Sequence, residues 1–208
     1  MKVTCLPLGP VCANCYILSD DNGNGVVVDP GEYNFGLQLA IENAGINNLQ
    51  YILCTHGHFD HISGVAQLKE KYPQAQVVCG EEDAPALSSS AISLADVFRL
   101  PFNPCYADKT VKSGDKLTAG GLNIIVIGAP GHSPGGVVYY LPDEGIMFTG
   151  DTLFKGSIGR TDLYGGNYSV LVKTLGKFRD YPAETVVYPG HGEKTTIDYE
   201  LKYNPYIR

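Results

Sequence analysis

Tyr51-Ile52-Leu53-Cys54-Thr55-His56-Gly57-His58-Phe59-Asp60-His61 runs a short apolar strand straight into a turn that carries three histidines and one aspartate within six positions. A turn at a strand end can aim several side chains at one point, so His56, His58, Asp60 and His61 are read as convergent donors. Imidazole nitrogen and carboxylate oxygen are the ligand types expected for zinc, manganese or iron, and the absence of cysteine from the turn argues against a sulfur-only structural site. A structural zinc site would need only four ligands, whereas this chain offers more.

Working outward, His132 stands in Ala129-Pro130-Gly131-His132-Ser133-Pro134-Gly135 and His191 in Tyr188-Pro189-Gly190-His191-Gly192, each after a strand and a Pro-Gly. Between them, Phe148-Thr149-Gly150-Asp151-Thr152 uses a glycine to turn the chain at a strand end and present a carboxylate. One histidine alone reads as a hydrogen-bonded core or surface residue. All five histidines of the chain, with two strand-end aspartates, read as a metal site.

The elements around these turns follow from apolar periodicity. Strands are expected at Val3–Leu8, Cys15–Leu18 and Gly25–Val28, the last two joined by the turn-rich Asp20-Asp21-Asn22-Gly23-Asn24. Apolar residues recur at helical spacing from Phe35 to Ala44, with Gly45 as a stop, and again from Ile62 to Lys71 before Pro73. Gln76–Cys79 is a further strand. Residues 81–108 have weak periodicity and several prolines, and are read as a partly helical excursion, a lid or an insertion over a site. The second half repeats the grammar, with strands at Leu122–Ile127, Val137–Leu141 and Gly145–Phe148, a helix at Ser169–Phe178 and a strand at Thr185–Tyr188. Strands followed by helices, twice over, predict an α/β chain with two mixed sheets packed face to face and helices outside, a four-layer αββα sandwich.

Composition narrows the function. At 208 residues the chain suits a single domain, 1–208, and its 44% apolar content lies far from the regime of disorder. A formal charge of -7 without a basic cluster argues against nucleic acid or an anionic membrane surface as the main partner, and points to a small-molecule substrate. The N-terminus enters strand-like alternation with no signal core, and no run approaches membrane-spanning length, so a cytoplasmic location is expected. In that compartment six cysteines need not pair, and Cys12-Ala-Asn-Cys15 is read as structural, because it lies in a strand-like segment and no second C-x-x-C accompanies it.

As a set, His56-x-His58-x-Asp60-His61, His132, Asp151 and His191 resemble the metal signature of the metallo-β-lactamase superfamily, and of its glyoxalase II-like branch in short single-domain form. Asn14-Cys15-Tyr16 and Val28-Asp29-Pro30-Gly31 belong to the same resemblance. It implies that His56, His58 and His132 hold one metal, that Asp60, His61 and His191 hold the other, and that Asp151 bridges them, with Asp60 and Asp151 as the catalytic carboxylates. Asp29 then orients ligands through hydrogen bonds, or else is an ordinary turn aspartate. Two divalent ions, zinc by default with iron and manganese as alternatives, roughly 3.5–4 Å apart lower the pKa of a shared water from about 16 toward 7 and supply a hydroxide for attack on a carbonyl. No G-x-S-x-G elbow is present to suggest a serine nucleophile. A thiolate leaves easily, which makes a small thioester a natural substrate, and the resemblance implies an S-acylglutathione such as S-lactoylglutathione.

In the stretch Gly159-Arg160-Thr161-Asp162, Arg160 is read either as a substrate contact or as the ion-pair partner of Asp162. This stretch also resembles the persulfide dioxygenase-like branch, in which His56, His132 and Asp151 would hold a single iron. A β-lactamase, a nuclease and a non-catalytic metal-binding protein are the remaining readings, and the oligomeric state stays open.

Overall fold

β-Branched and aromatic residues alternate through the opening of the chain, and there the computed structural model, which describes residues 1–207, forms β1 (Lys2–Leu8), β2 (Ala13–Ser19) and β3 (Asn24–Val28). The three pair antiparallel as expected. The turn between the last two closes on Asp20, whose Oδ1 accepts from the backbone N–H groups of Asn22 and Asn24 at 2.9 and 2.8 Å. Helix α1 (Phe35–Asn43) starts where Asn34 Oδ1 accepts from the Leu37 N–H at 3.0 Å, and β4 (Asn48–Cys54) follows.

One expectation fails just beyond. The helix expected over residues 62–71 is two pieces, α2 (Phe59–Ile62) and α3 (Val65–Lys71), parted at Ser63-Gly64. The cause is a crossing chain. Gly64 donates its N–H to Pro30 O at 2.8 Å, and a Cβ at Gly64 would overlap the backbone of Pro30 and Glu32.

β5 (Gln76–Gly80) leads into the excursion, which holds a 3-10 turn at Ala84–Ser88 and α4 (Ala95–Phe98). Then come β6 (Lys109–Val111), β7 (Lys116–Ala119), β8 (Leu122–Gly128), β9 (Val137–Leu141) and β10 (Ile146–Gly150). A small hairpin of β11 (Leu153–Phe154) and β12 (Ser157–Ile158) precedes α5 (Tyr168–Gly176). β13 (Val186–Pro189), β14 (Thr195–Thr196) and α6 (Ile197–Tyr203) close the described chain.

The strands form two six-stranded sheets, ordered β1-β2-β3-β4-β5-β6 and β14-β13-β10-β9-β8-β7. Both are mixed: β3, β4, β5 and β6 run parallel in the first, and β10 pairs parallel with β13 in the second. Alternate residues of each strand face alternate layers. Tyr16, Leu18, Val26, Val28 and Leu53 of the first sheet meet Ile124, Val126, Tyr139, Leu141 and Phe148 of the second in the central layer. Ile17, Val27 and Ile52 point outward onto Leu37, Ile41, Val65 and Leu68 of α1 and α3, and Val138, Met147 and Val187 point outward onto Leu171, Leu175 and Ile197 of α5 and α6. The four layers are therefore those expected, with β2, β9 and β10 buried along their whole length. Each such aliphatic side chain taken from water contributes about 1.5–3 kcal/mol.

The excursion is seated on this frame. Leu87 belongs to the outer core of the first sheet, Phe102, Cys105 and Ala107 pack against it, and Phe59 donates its N–H to Ser93 O at 2.8 Å. Cys12 lies in the turn before β2 and is exposed, whereas Cys15 is buried in the strand, and both are free thiols. No helix among the described residues is long and apolar enough to cross a membrane. Leu87→Ala is expected to lower stability by about 2–5 kcal/mol, read as a shift in the urea midpoint. An unchanged midpoint would mean that residues 81–108 ride loosely over the frame.

Candidate metal centre

Four strand ends deliver the donors. His56 and His58 leave the end of β4, with Asp60 and His61 in α2; His132 leaves β8, Asp151 leaves β10 and His191 leaves β13. β8 runs antiparallel to β9 and β9 antiparallel to β10, so β8, β10 and the parallel β13 all end at one edge of the second sheet. The first sheet is bonded to that edge, since Val137 donates its N–H to Thr55 O at 2.8 Å.

Glycines permit the approach at two places. Gly150 takes a φ of +49° immediately before Asp151, a conformation that L side chains rarely adopt. A Cβ at Gly190 would overlap Asp151 Oδ1, so the His191 turn can lie against that carboxylate only with glycine there.

The donors fall into two groups. Nitrogen atoms of His56, His58 and His132 lie within 4.8 Å of one another, as do ligand atoms of Asp60, His61 and His191. Asp151 stands between them. Its Oδ1 is 3.3 Å from His61 Nε2, and its Oδ2 is 3.6 Å from His132 Nε2 and 3.7 Å from His191 Nε2. Asp60 Oδ2 lies 3.1 Å from His191 Nε2 and 3.5 Å from His61 Nε2. All of these groups are buried or nearly so except His191, whose side chain is 30% exposed and marks the open side.

Hydrogen bonds behind the rings decide which nitrogens face inward. His61 Nδ1 lies 3.0 Å from Asp29 Oδ2 and His132 Nδ1 lies 2.7 Å from Arg160 O, both acceptors, so each ring donates there and turns the Nε2 lone pair into the site. Thr55 Oγ1 donates to Asp29 Oδ2 at 2.7 Å, which leaves it to accept from His56 Nδ1 at 3.1 Å. His56 Nε2 is thereby an inward lone pair as well. Asp29 also accepts from the Thr55 N–H at 2.7 Å. With its oxygens committed in this way, Asp29 orients rings in both groups, although it too lies within 4.8 Å of His56 and His61 nitrogens.

The result is a cluster of electron pairs facing one another. His56 Nε2, His61 Nε2 and Asp151 Oδ1 are buried and have no hydrogen-bond partner, and His132 Nε2 comes within 2.8 Å of His58 Nδ1. Buried polar atoms are rarely left unpaired. A cation is the ligand that satisfies all of them, and the set of imidazole nitrogens and carboxylate oxygens fits zinc, iron or manganese.

Charge states agree with that geometry. Burial, and then the neighbouring His61, His58 and His132, push His56 well below the usual imidazole range, and burial with His132 beside it lowers His58 to about 4. These two rings are neutral and ready to donate. Burial alone would raise the Asp60 carboxyl, but His61 and a hydrogen bond from His191 hold it far below the usual carboxylate range, and Asp151 is lowered against burial by His61 in the same way. Burial opposes a proton on His61, yet Asp60 and Asp151 raise it well above its ordinary value, and the Asp60 hydrogen bond raises His191. A proton on these rings occupies the place that a metal ion would take.

Every residue expected from the sequence to bind metal is therefore brought to one edge, with Asp29 behind them. Arg160 is placed differently from a free substrate contact: its guanidinium pairs with Asp162 through Nε–Oδ1 and Nη2–Oδ2 contacts of 2.7 Å each, out in solvent, while its carbonyl holds His132. Thr55 and Asp83 carry no sequence signal that assigns them a role. Asn14 and Tyr16, part of the family resemblance, tie down the His191 turn: Asn14 Nδ2 donates to Pro189 O and Gly192 O at 3.0 and 2.9 Å, its N–H to Gly190 O at 2.7 Å, and Tyr16 OH to Pro189 O at 2.6 Å. Those four bonds bracket His191.

The chain is similar to several known proteins in sequence and in fold. The family profile described as the metallo-beta-lactamase superfamily matches residues 8–191. The chain is 34% identical to the probable metallo-hydrolase YqgX of Bacillus subtilis (strain 168), with 100% of this chain and 98% of that protein aligned. It is 32% identical to the hydroxyacylglutathione hydrolase GloC of Haemophilus influenzae, with the same coverage. Among solved structures, the BLEG-1 B3 metallo-beta-lactamase superposes with a TM-score of 0.93 at 34% identity over 99% of both chains. TTHA1623 in a di-iron-bound form gives 0.87 at 34% identity over 98% of this chain and 99% of that one.

Asp29→Ala is expected to weaken metal binding 10- to 100-fold in chelator competition, because it frees His61 and, through Thr55, His56. Unaltered affinity would show that packing alone orients the rings. Since His61 and His191 keep protons more tightly than free imidazole, metal uptake should release protons and weaken as pH falls. Calorimetry in buffers of different ionisation enthalpy reads that release, and a buffer-independent heat would contradict it.

Proposed function

We propose that this chain, which belongs to the metallo-β-lactamase superfamily, is a metal-dependent hydrolase of small thioesters, with an S-acylglutathione such as S-lactoylglutathione as the substrate class. The observation that carries the reading is the pair of adjacent donor groups sharing one largely buried carboxylate, Asp151. In this reading His56, His58 and His132 would hold one divalent ion and Asp60, His61 and His191 the second, with Asp151 placed between the two groups as a ligand for either. Zinc is the default by ligand type, and iron is favoured next by the di-iron relative. When bound, such a pair supplies a hydroxide nucleophile near neutral pH and positive charge for a developing oxyanion.

The chain's own residues do the rest. Asp60 and Asp151 remain ionised and fix the charge balance of the site, so that added positive charge is offset without recruiting an exposed acid. Neutral His56 and His58 keep their lone pairs available well below neutral pH. The 30% exposed His191 leaves the approach open on the side of Asp60, where a substrate carbonyl can enter. The thiol beside the first ligand turn does not compete as nucleophile. Cys54, next to Thr55, is fully buried, and burial pushes its thiol well up.

The thioester assignment is supported by GloC, a hydroxyacylglutathione hydrolase aligned along its length, and by the ease with which a thiolate departs. A β-lactam is the second reading, favoured by the similarity to BLEG-1.

The test is metal quantification on purified protein with hydrolysis of S-lactoylglutathione and nitrocefin side by side. Two ions per chain and thioester turnover are expected, and Asp60→Ala should lose one ion and at least 100-fold in thioester kcat while its circular dichroism is unchanged. Wild-type turnover in that variant would end the two-metal mechanism. Turnover of nitrocefin alone, or one iron with oxygen consumption on glutathione persulfide, would replace the thioester assignment.

A further inference from the structure

Asp83 is a buried carboxylate that the proposed chemistry does not use, 3% exposed in the segment that follows β5. Among the described residues no lysine, arginine or histidine pairs with it. Its oxygens are spent on backbone instead: Oδ2 accepts from the Gly57 N–H at 2.9 Å and Oδ1 from the Gly135 N–H at 2.6 Å. Gly57 lies between His56 and His58, and Gly135 lies three residues after His132. One side chain thus bonds the loop from the first sheet to the loop from the second, and together those loops carry all three imidazoles of one donor group.

The seating is close on both sides. A Cβ at Gly135 would overlap Asp83 N, and a Cβ at Gly57 would overlap Ala86 Cβ, three residues past Asp83, and crowd the backbone carbonyl of Asp83 itself. Both loops therefore pack directly on this segment, with glycine where they touch it. The other donor group is held from elsewhere, by Asp29 behind His61 and by Asn14 and Tyr16 around His191. We infer that Asp83 is a positioning residue specific to the His56, His58 and His132 position, whose hydrogen bonds to Gly57 and Gly135 set the spacing of the three rings and hence the affinity of that position alone. The inference rests on the reading that this trio holds a metal ion.

Its consequence is an asymmetry between the two positions. Asn at residue 83 preserves shape but offers one acceptor oxygen and turns an amide N–H₂ toward the second backbone N–H, so one loop must come loose. A general loss of stability would instead weaken both positions or neither.

The experiment uses the full chain stripped of metal and titrated with Co(II), followed by its d–d absorption and by competition with a chromophoric chelator. Asp83→Asn is compared with wild type and with Leu87→Ala, a variant destabilised through the same segment at a side chain buried in the outer core of the first sheet. Asp83→Asn should weaken one of the two metal equivalents by about 10- to 100-fold, the range for residues that orient ligands from behind, and leave the other as in wild type. Combined with Asp60→Ala, which vacates the second position, it should weaken the ion that remains. Wild-type affinities in Asp83→Asn, equal weakening of both equivalents, or the same pattern in Leu87→Ala would overturn the inference. Should Asp83→Asn not fold, Asp83→Ser, which can still accept one N–H, reads the same ratio. A wild-type protein that takes up no Co(II) would instead defeat the metal-site reading itself, and the inference with it.

Discussion

A single buried carboxylate, Asp29, receives three hydrogen bonds at the point where β3 ends beside β4, and the metal centre is built around it. The chain reaches that point in a strained way, with φ of +51° at Asp29, a conformation that aspartate tolerates better than most residues because its short side chain bonds locally. The Thr55 N–H and hydroxyl and the His61 ring all close on its two oxygens. Removing the carboxylate would leave three buried donors unpaired, each at a cost of about 1–3 kcal/mol. The turn is thus fixed before any ion is considered, and the histidines inherit their direction from it.

The sandwich supplies the second half of the constraint. Two sheets packed through a shared apolar layer can bring loops from distant parts of the chain together only at a common edge, and the strand directions choose which edge. Because β8, β10 and β13 point the same way, His132, Asp151 and His191 leave the second sheet side by side, opposite the end of β4. Repulsion among so many donors is met by partners behind them: Arg160 O for His132, Thr55 for His56, Asp29 for His61 and Asn14 around the His191 turn. The rings are oriented from outside, and what they lack is inside.

That division explains what could be read from the sequence. Ligand types and strand-end placement were legible because every histidine follows an apolar run and a turn, and the layer order was legible because strands such as Val137–Leu141 carry a clean apolar pattern. β6, β7, β14 and the β11–β12 hairpin were not, since two to four residues show no periodicity and their pairing is decided by neighbours already in place. α6 was missed because Asp198, Glu200 and Lys202 interrupt its apolar face, although Glu200 is in fact buried, accepting from Gly156, Thr195 and Asn204. Asp83 ends the acidic run Glu81-Glu82-Asp83, whose first two members are exposed. Only the tertiary approach of Gly57 and Gly135 makes its third member an interior residue.

Arg160 shows how far metal geometry and substrate choice are separable in this fold. Its backbone carbonyl is required to orient His132, so the loop must pass that point whatever side chain it carries, and the guanidinium is left to the surface, where Asp162 neutralises it. An exposed pair of this kind is worth little to stability and opens at small cost when a carboxylate ligand competes for the guanidinium. The backbone of the loop thus serves the metal site while the guanidinium side chain does not. The chain aligns along its length with a protein named a hydroxyacylglutathione hydrolase and shares its fold with one named a B3 metallo-beta-lactamase, so the fold by itself does not fix the substrate.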